Sequence, residues 1–200
     1  VEFADKVLQW LNVKSNVKFT DRGSLDPQGR YIFVSNHPLG GLDGLIMISI
    51  LGKLMGKIKF VVNDLLLNVV PMRGLFVPVN KHGRMGREYG EMIHNAYASD
   101  SQILYFPAGL CSRLINGEIK DLQWQRNFLK QAKRYNRDIV PVHFNGRNSN
   151  FFYRLAKIRK ALGIKFNIEM IFLPDEMFRQ KNSTFEITIG TPIPISAIDS

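Results

Sequence analysis

Short runs of Val, Ile, Phe and Tyr alternate along this chain with segments of helical periodicity, and that alternation restricts it to few architectures. The runs fall at Tyr31–Ser35, Ile58–Asn63, Leu75–Val79, Gln102–Phe106, Ile139–Phe144, Phe166–Phe172 and Phe185–Ile189. β-Branched and aromatic side chains suit a pleated, buried surface, and Gly, Pro, Asn or Asp bounds several of the runs. Between them, Phe3–Leu11 places Phe3, Val7, Leu8 and Leu11 on one helical face. Gly44–Met55 reads as a buried helix with Asp43 as its N-cap, and Met85–Ala98 and Asp121–Tyr135 read as amphipathic helices. Strands alternating with helices predict an α/β fold, with a mostly parallel central sheet of about seven strands flanked by helices. Thr191–Pro194 reads as an extended exit from the last strand.

With 200 residues the chain suits one domain over residues 1–200, long enough to bury a core. Its 45% hydrophobic and 22% charged residues exclude disordered, collagen-like and coiled-coil classes. It begins at Val1 rather than Met, which predicts a processed or trimmed piece of something longer, and its start lacks the basic-then-apolar pattern of a signal peptide. Cys111 is the only cysteine, so an internal disulfide and a cysteine metal site are excluded. The longest apolar stretch, Leu45–Leu51, falls far short of the roughly 18 residues of a membrane span. The formal net charge of +10 favours anionic partners: nucleic acid, an acidic carrier, a phosphate-bearing co-substrate or an anionic membrane surface.

The segment Ser35-Asn36-His37-Pro38-Leu39-Gly40-Gly41-Leu42-Asp43-Gly44 leaves a predicted strand and enters a predicted helix. Ligands of open α/β sheets bind beyond the carboxyl ends of the strands, and His37 sits at such an end. Gly40 and Gly41 allow a sharp return that brings the Asp43 carboxylate onto the imidazole. A carboxylate on one ring nitrogen fixes the tautomer and leaves the other nitrogen as a general base. A turn closed by a capping aspartate, without catalysis, has the same pattern.

Further blocks carry a resemblance. Phe106-Pro107-Ala108-Gly109-Leu110-Cys111-Ser112-Arg113 follows the fourth predicted strand, Arg73-Gly74-Leu75-Phe76 with Lys81 surrounds the third, and Ile139-Val140-Pro141-Val142 forms the fifth. A late Gly190-Thr191-Pro192-Ile193 follows the last. In this order, over about residues 30–195, the chain resembles the glycerolipid acyltransferases, the family that includes lysophosphatidic acid acyltransferases. Five residues separate His37 from Asp43, where that family has four, and Ala108 stands where it has glutamate. Both departures are similar to the hemolysin-like branch, which includes aminolipid acyltransferases making ornithine or glycine lipids.

The resemblance implies an O-acyltransferase with His37 as general base and Asp43 as its orienting carboxylate. The donor would be acyl-CoA or an acyl carrier protein thioester, used as co-substrate, with no permanently bound cofactor. The acceptor would be the hydroxyl of a lysophospholipid or lyso-aminolipid. Asn36, Arg73, Gly74, Lys81, Phe106, Pro107, Ala108, Gly109 and Arg113 are the substrate-binding candidates it marks. Arg73, Lys81 and Arg113 suit an anionic headgroup or the donor's phosphates, because guanidinium and ammonium groups bond phosphate oxygens. Backbone N–H groups near Gly109, or in the Gly40-Gly41 turn, suit the oxyanion. The expected setting is cytoplasmic, at the inner face of the cytoplasmic membrane.

Three alternatives stand beside this reading. Cys111 is a rival nucleophile in a Cys-His pair, against the role of a small buried hydrophobe. A hydrolase on the same fold would use water as acceptor. A non-enzymatic nucleic-acid binder suits the charge, yet the chain carries no recognised nucleic-acid motif. His82, His94 and His143 lack metal-ligand spacing, and Gly83-Arg84-Met85-Gly86 is too short for a phosphate-binding fingerprint. From Arg147 to Lys165 there are six basic residues and no acidic one. Within it, Phe151, Leu155, Ile158 and Leu162 form one helical stripe, with Arg154, Lys157 and Lys160 away from it. That pattern fits a helix in a membrane interface, a dock for an acidic carrier protein, or a core-packed helix with a solvated outer face.

Overall fold

The computed structural model describes residues 1–79 and 87–198. Its elements are α1 (Glu2–Trp10), β1 (Lys14–Phe19), β2 (Tyr31–Ser35), α2 (Leu42–Met55), β3 (Ile58–Asn63), β4 (Phe76–Val79), α3 (Arg87–Ala98) and β5 (Gln102–Tyr105). They continue with β6 (Arg113–Ile115), β7 (Glu118–Lys120), α4 (Asn127–Tyr135), β8 (Asp138–Asn145), α5 (Asn150–Ala161), α6 (Leu173–Arg179) and β9 (Thr184–Ile189). Seven strands form one sheet in the order β1-β9-β8-β2-β5-β3-β4. Every pairing is parallel except β8 with β9. A mostly parallel seven-stranded sheet flanked by helices is therefore the fold that the alternation predicts.

The period of two along β2 divides the core. Tyr31 and Phe33 face the layer of α1 and α2, while Ile32 and Val34 face the layer of α3 and α4. α2 is apolar nearly all round because α1 covers its outer side. Ile46, Met47, Ile48 and Leu51 are buried there, each contributing roughly 2 kcal/mol of apolar transfer. The opposite end of the strands is held by buried Arg137. Asn136, in the left-handed region at φ 49°, ends α4 and turns the chain back. The Arg137 guanidinium then donates to the carbonyls of Tyr31, Tyr97, Ser99 and Ser101. Burial lowers its pKa to about 10.

Two expectations need correction, one strand was not anticipated, and one of the three readings of α5 is excluded. Phe166–Phe172 is not a strand: Ile168–Phe172 is a 3-10 segment, folded over α5 by the buried Glu169, which pairs with Arg113 and Arg159. The seventh strand is instead β1, a polar edge strand whose sequence KSNVKF has little apolar signal. Asp121–Arg126 stays outside α4, because the Asp121 side chain and the Gln125 N–H bond to the neighbouring turns. The stripe on α5 is not its core face: Phe152, Tyr153 and Ala156 are buried, while Phe151, Ile158 and Leu162 face outward. No helix among the described residues is long and apolar enough to cross a membrane.

Candidate active site

The site begins where β2 ends. Beyond the last ladder pair, the Asn36 side chain imitates a peptide group. Its Nδ2 donates to the Phe144 carbonyl (2.9 Å) and its Oδ1 accepts from the Phe144 N–H (2.7 Å). The turn after it is therefore tied to β8. Gly40 makes the reversal at φ 84°, where a Cβ would also meet the Leu173 side chain at 2.9 Å. The helix starts two residues earlier than expected, with Gly41 as N-cap, so Asp43 lies inside the first turn.

From there Asp43 reaches back. Its Oδ2 is 3.1 Å from His37 Nδ1 and accepts from the N–H groups of Leu39 (2.9 Å) and Gly40 (3.3 Å). Its Oδ1 accepts from the Gly44 N–H at 2.8 Å. The carboxylate is fully buried, and the imidazole is mostly so. Phe106 stacks on the His37 ring with centroids 4.2 Å apart and an interplanar angle of 26°, which fixes the ring plane.

A second carboxylate holds the His37 backbone. Both oxygens of Asp121 accept from the His37 N–H at 3.2 Å, and Ser112 Oγ donates to Asp121 Oδ1 at 2.5 Å. The Ser112 N–H closes the ring by donating to the His37 carbonyl at 2.8 Å, and Trp124 Nε1 donates to Asp121 at 2.9 Å. The β6–β7 hairpin makes this possible. Asn116 and Gly117 both have positive φ, and the register pairs Arg113 with Lys120, so Ser112 and Asp121 meet at its open end. Asn-Gly between apolar residues is a strong hairpin signal, and reading it would have found Asp121.

His37 lines a largely apolar cavity of about 820 Å³. The cavity runs between α1, α2 and the β3–β4 side of the sheet, past Val7, Leu45, Ile48, Phe60 and Phe76. Such a volume is that of a pocket for a sizeable organic ligand. Phe106, Pro107 and Gly109 border it beside His37, as do Gly40 and Gly41.

The other predicted residues are placed differently. Ala108 is buried and is not among the residues lining the cavity. The Gly109 N–H donates to the Phe106 carbonyl within the turn. Arg73 donates to the Leu67 carbonyl, and the Gly74 carbonyl accepts from Lys59 Nζ, both at the surface. Arg113 is buried, with its guanidinium on Glu169 (2.9 Å) and on the Cys111 carbonyl (2.6 Å). Arg159 Nε reaches the other Glu169 oxygen at 2.9 Å, as an ion pair without hydrogen-bond alignment. Cys111 lies in this cluster rather than on the cavity, and burial pushes its thiol up to about 11 against the opposing Arg113 charge. A nucleophilic thiolate is disfavoured there. Lys81, His82 and the Gly83–Gly86 stretch lie outside the described residues.

Residues 5–200 match the family model described as Acyltransferase. The chain belongs to that acyltransferase family. The acyltransferase is 48% identical, over its whole length, to the lyso-glycine lipid O-acyltransferases of Bacteroides thetaiotaomicron and Phocaeicola vulgatus. It covers 73% and 71% of those two proteins. Its fold is similar to the crystal structure of the 1-acyl-sn-glycerophosphate acyltransferase PlsC from Thermotoga maritima. The TM-score is 0.57 at 17% identity, covering all of this chain and 69% of that one. The resemblance to an acyltransferase family drawn from the sequence blocks thus holds over nearly the whole chain.

Proposed function

We propose that this acyltransferase moves a fatty acyl group from a CoA or acyl carrier protein thioester to the hydroxyl of a lyso-lipid. The relatives' names favour a lyso-glycine lipid as acceptor. One observation carries the mechanism: the 3.1 Å contact of His37 Nδ1 with the buried Asp43, at the wall of an apolar cavity. Asp43 holds the tautomer with its proton on Nδ1, so Nε2 takes the proton from the acceptor hydroxyl. The oxygen attacks the thioester carbonyl, and a tetrahedral oxyanion forms. Its collapse forms the ester and breaks the C–S bond, and the departing thiolate takes up the proton from His37 Nε2, which restores the neutral base. Thiols are fair leaving groups, with a pKa of about 8.5, so no strong separate acid is needed. Gly41, the N-cap of α2, borders the cavity, where its backbone N–H and the helix dipole favour negative charge. The apolar cavity takes an acyl chain. A lipid acceptor and a thioester donor meet at the inner face of the cytoplasmic membrane.

The test supplies the protein with long-chain acyl-CoA or acyl carrier protein and a panel of lyso-lipids, reading free thiol and the lipid product by mass spectrometry. The expected result is acceptor-dependent thiol release and a diacylated aminolipid. Thiol release at full rate without acceptor would instead mark a hydrolase. His37→Ala removes the base and lowers turnover by about 10²- to 10⁴-fold in a folded protein; ordinary turnover in that variant overturns the mechanism.

A further inference from the structure

We propose that the outward faces of α5, the 3-10 segment Ile168–Phe172 and α6 form the surface by which this enzyme lies on an anionic membrane. The proposal rests on the lipid acceptor argued above and adds the place and orientation of contact. α5 satisfies its core with Phe152, Tyr153 and Ala156, yet its other apolar stripe remains in solvent. Leu162 is 70% exposed and Phe166, just beyond the helix, 68%. Ile171 is 65% exposed, and Phe151 meets Phe172 edge-on at 5.2 Å. Phe151, Phe172 and Phe178 border one shallow depression. Trp10, at the end of α1, packs edge-on against Phe178 at 5.4 Å. These contacts join Trp10, Phe151, Phe172 and Phe178 from three parts of the chain, and exposed Ile158 and Leu162 continue from Phe151 along α5 at helical spacing. Scattered exposed apolar residues need no explanation, whereas a joined aromatic and aliphatic face marks an interface.

Charge identifies the occupant. Arg154, Lys157, Lys160 and Lys165 are exposed around this face. The acidic side chains of the same elements are otherwise engaged: Glu169 is buried between arginines, and Glu176 accepts from the Ser149 N–H and hydroxyl. Asp175 is the exposed acid among the three elements. Basic side chains beside large apolar ones suit a helix lying at the boundary of anionic headgroups and acyl chains. An acidic carrier protein would match the charge but gives no reason for Leu162, Phe166 and Ile171 to face water.

The same elements are only one layer thick. Met170, Leu173 and Met177 line the reaction cavity, while their sequence neighbours Ile171, Phe172 and Phe178 belong to the outer face. A bilayer under this face would therefore lie one layer of structure away from the cavity that His37 lines.

The experiment floats the 200-residue protein, without donor, on vesicles of phosphatidylcholine alone or with one-third phosphatidylglycerol. Two exposed double variants accompany it: Lys157→Glu with Lys160→Glu, and Ile158→Ser with Leu162→Ser. The wild type is expected to partition onto the anionic vesicles and to be released by salt, since screening at 0.15 M acts within about 8 Å. The lysine reversals should lower that partitioning by at least about 20-fold, and the apolar pair should lower it comparably. Both variants should keep wild-type turnover on micellar acceptor and lose it on vesicle-embedded acceptor. Wild-type binding by either variant overturns the proposal, and so does failure of the wild type to bind. A dimer that the apolar pair dissociates, or selective capture by acyl carrier protein without any vesicle effect, assigns the face to another occupant and overturns it too. Because flotation needs no catalysis, an inactive but membrane-binding protein would contradict the proposed function and leave the docking surface standing.

Discussion

Asp43 and Glu169 are both carboxylates without exposed surface, and each is tied to a nitrogen-bearing side chain about 3 Å away. Glu169 sits between two guanidiniums that stay charged at any pH the protein meets. It fastens the 3-10 segment to α5 and β6. Asp43 instead faces one imidazole, and that imidazole lines a cavity. Histidine as a residue type changes charge in the physiological range, which suits the proton-transfer role proposed above for this pair. The partner's titration range and its access to a ligand separate the two roles; burial and ion-pair distance do not.

Substitution at these two positions is the strongest way to break that contrast. Asp43→Asn should keep the fold and lower kcat by about 10³-fold or more, because an amide fixes the wrong tautomer and cannot stabilise imidazolium. Steady-state thiol release with a thermal melt reads both effects. Glu169→Gln should do the reverse. Buried Arg113 and half-buried Arg159 lose their counter-charge at a cost of about 3 kcal/mol, seen in urea unfolding, while turnover per folded molecule stays within a few-fold. A stable but inactive Glu169→Gln protein would place the ion-pair cluster in the chemistry and end the distinction.

Asp121 tests an intermediate case, a carboxylate that holds the histidine's backbone rather than its ring. Asp121→Ala should lower kcat roughly tenfold with KM little changed, since a small misplacement of a reacting group is costly. Asp121→Asn, which keeps one acceptor for the His37 N–H, should restore most of the loss. Equal losses in both would show that its charge matters rather than its grip. The smallest effect concerns Cys111. Its thiol is raised from 9.0 to about 11 in the folded chain, so iodoacetamide at pH 8 should label it far more slowly folded than unfolded. The sign also sets a pH dependence: its contribution is complete below pH 9 and is lost as pH rises towards 11. Rapid labelling of the native protein would return the thiol to consideration as a nucleophile.

How much of this was legible beforehand depended on how local each cause was. β2, β3, β8 and β9 are apolar runs buried by the sheet itself, so composition sufficed to find them. β1 escaped because an edge strand is held by backbone pairing with β9 and needs few apolar side chains. Phe166–Phe172 misled because its apolar residues lie on a segment whose path is dictated by a distant ion pair. On α5 both candidate faces contain apolar residues, and periodicity cannot tell which of them meets the core.

The sequence by itself determined the layered α/β plan and the pairing of His37 with Asp43. Both rest on short-range causes: side-chain shape along a strand, and a glycine reversal spanning six residues. Only the tertiary structure decided that Asp121, 84 residues from His37, clamps its backbone, that Arg113 serves Glu169, and that the α5 stripe faces outward. Each of those depends on which surfaces the fold brings together, and hydrogen bonds and ion pairs are made only where that packing sets donors and acceptors within reach.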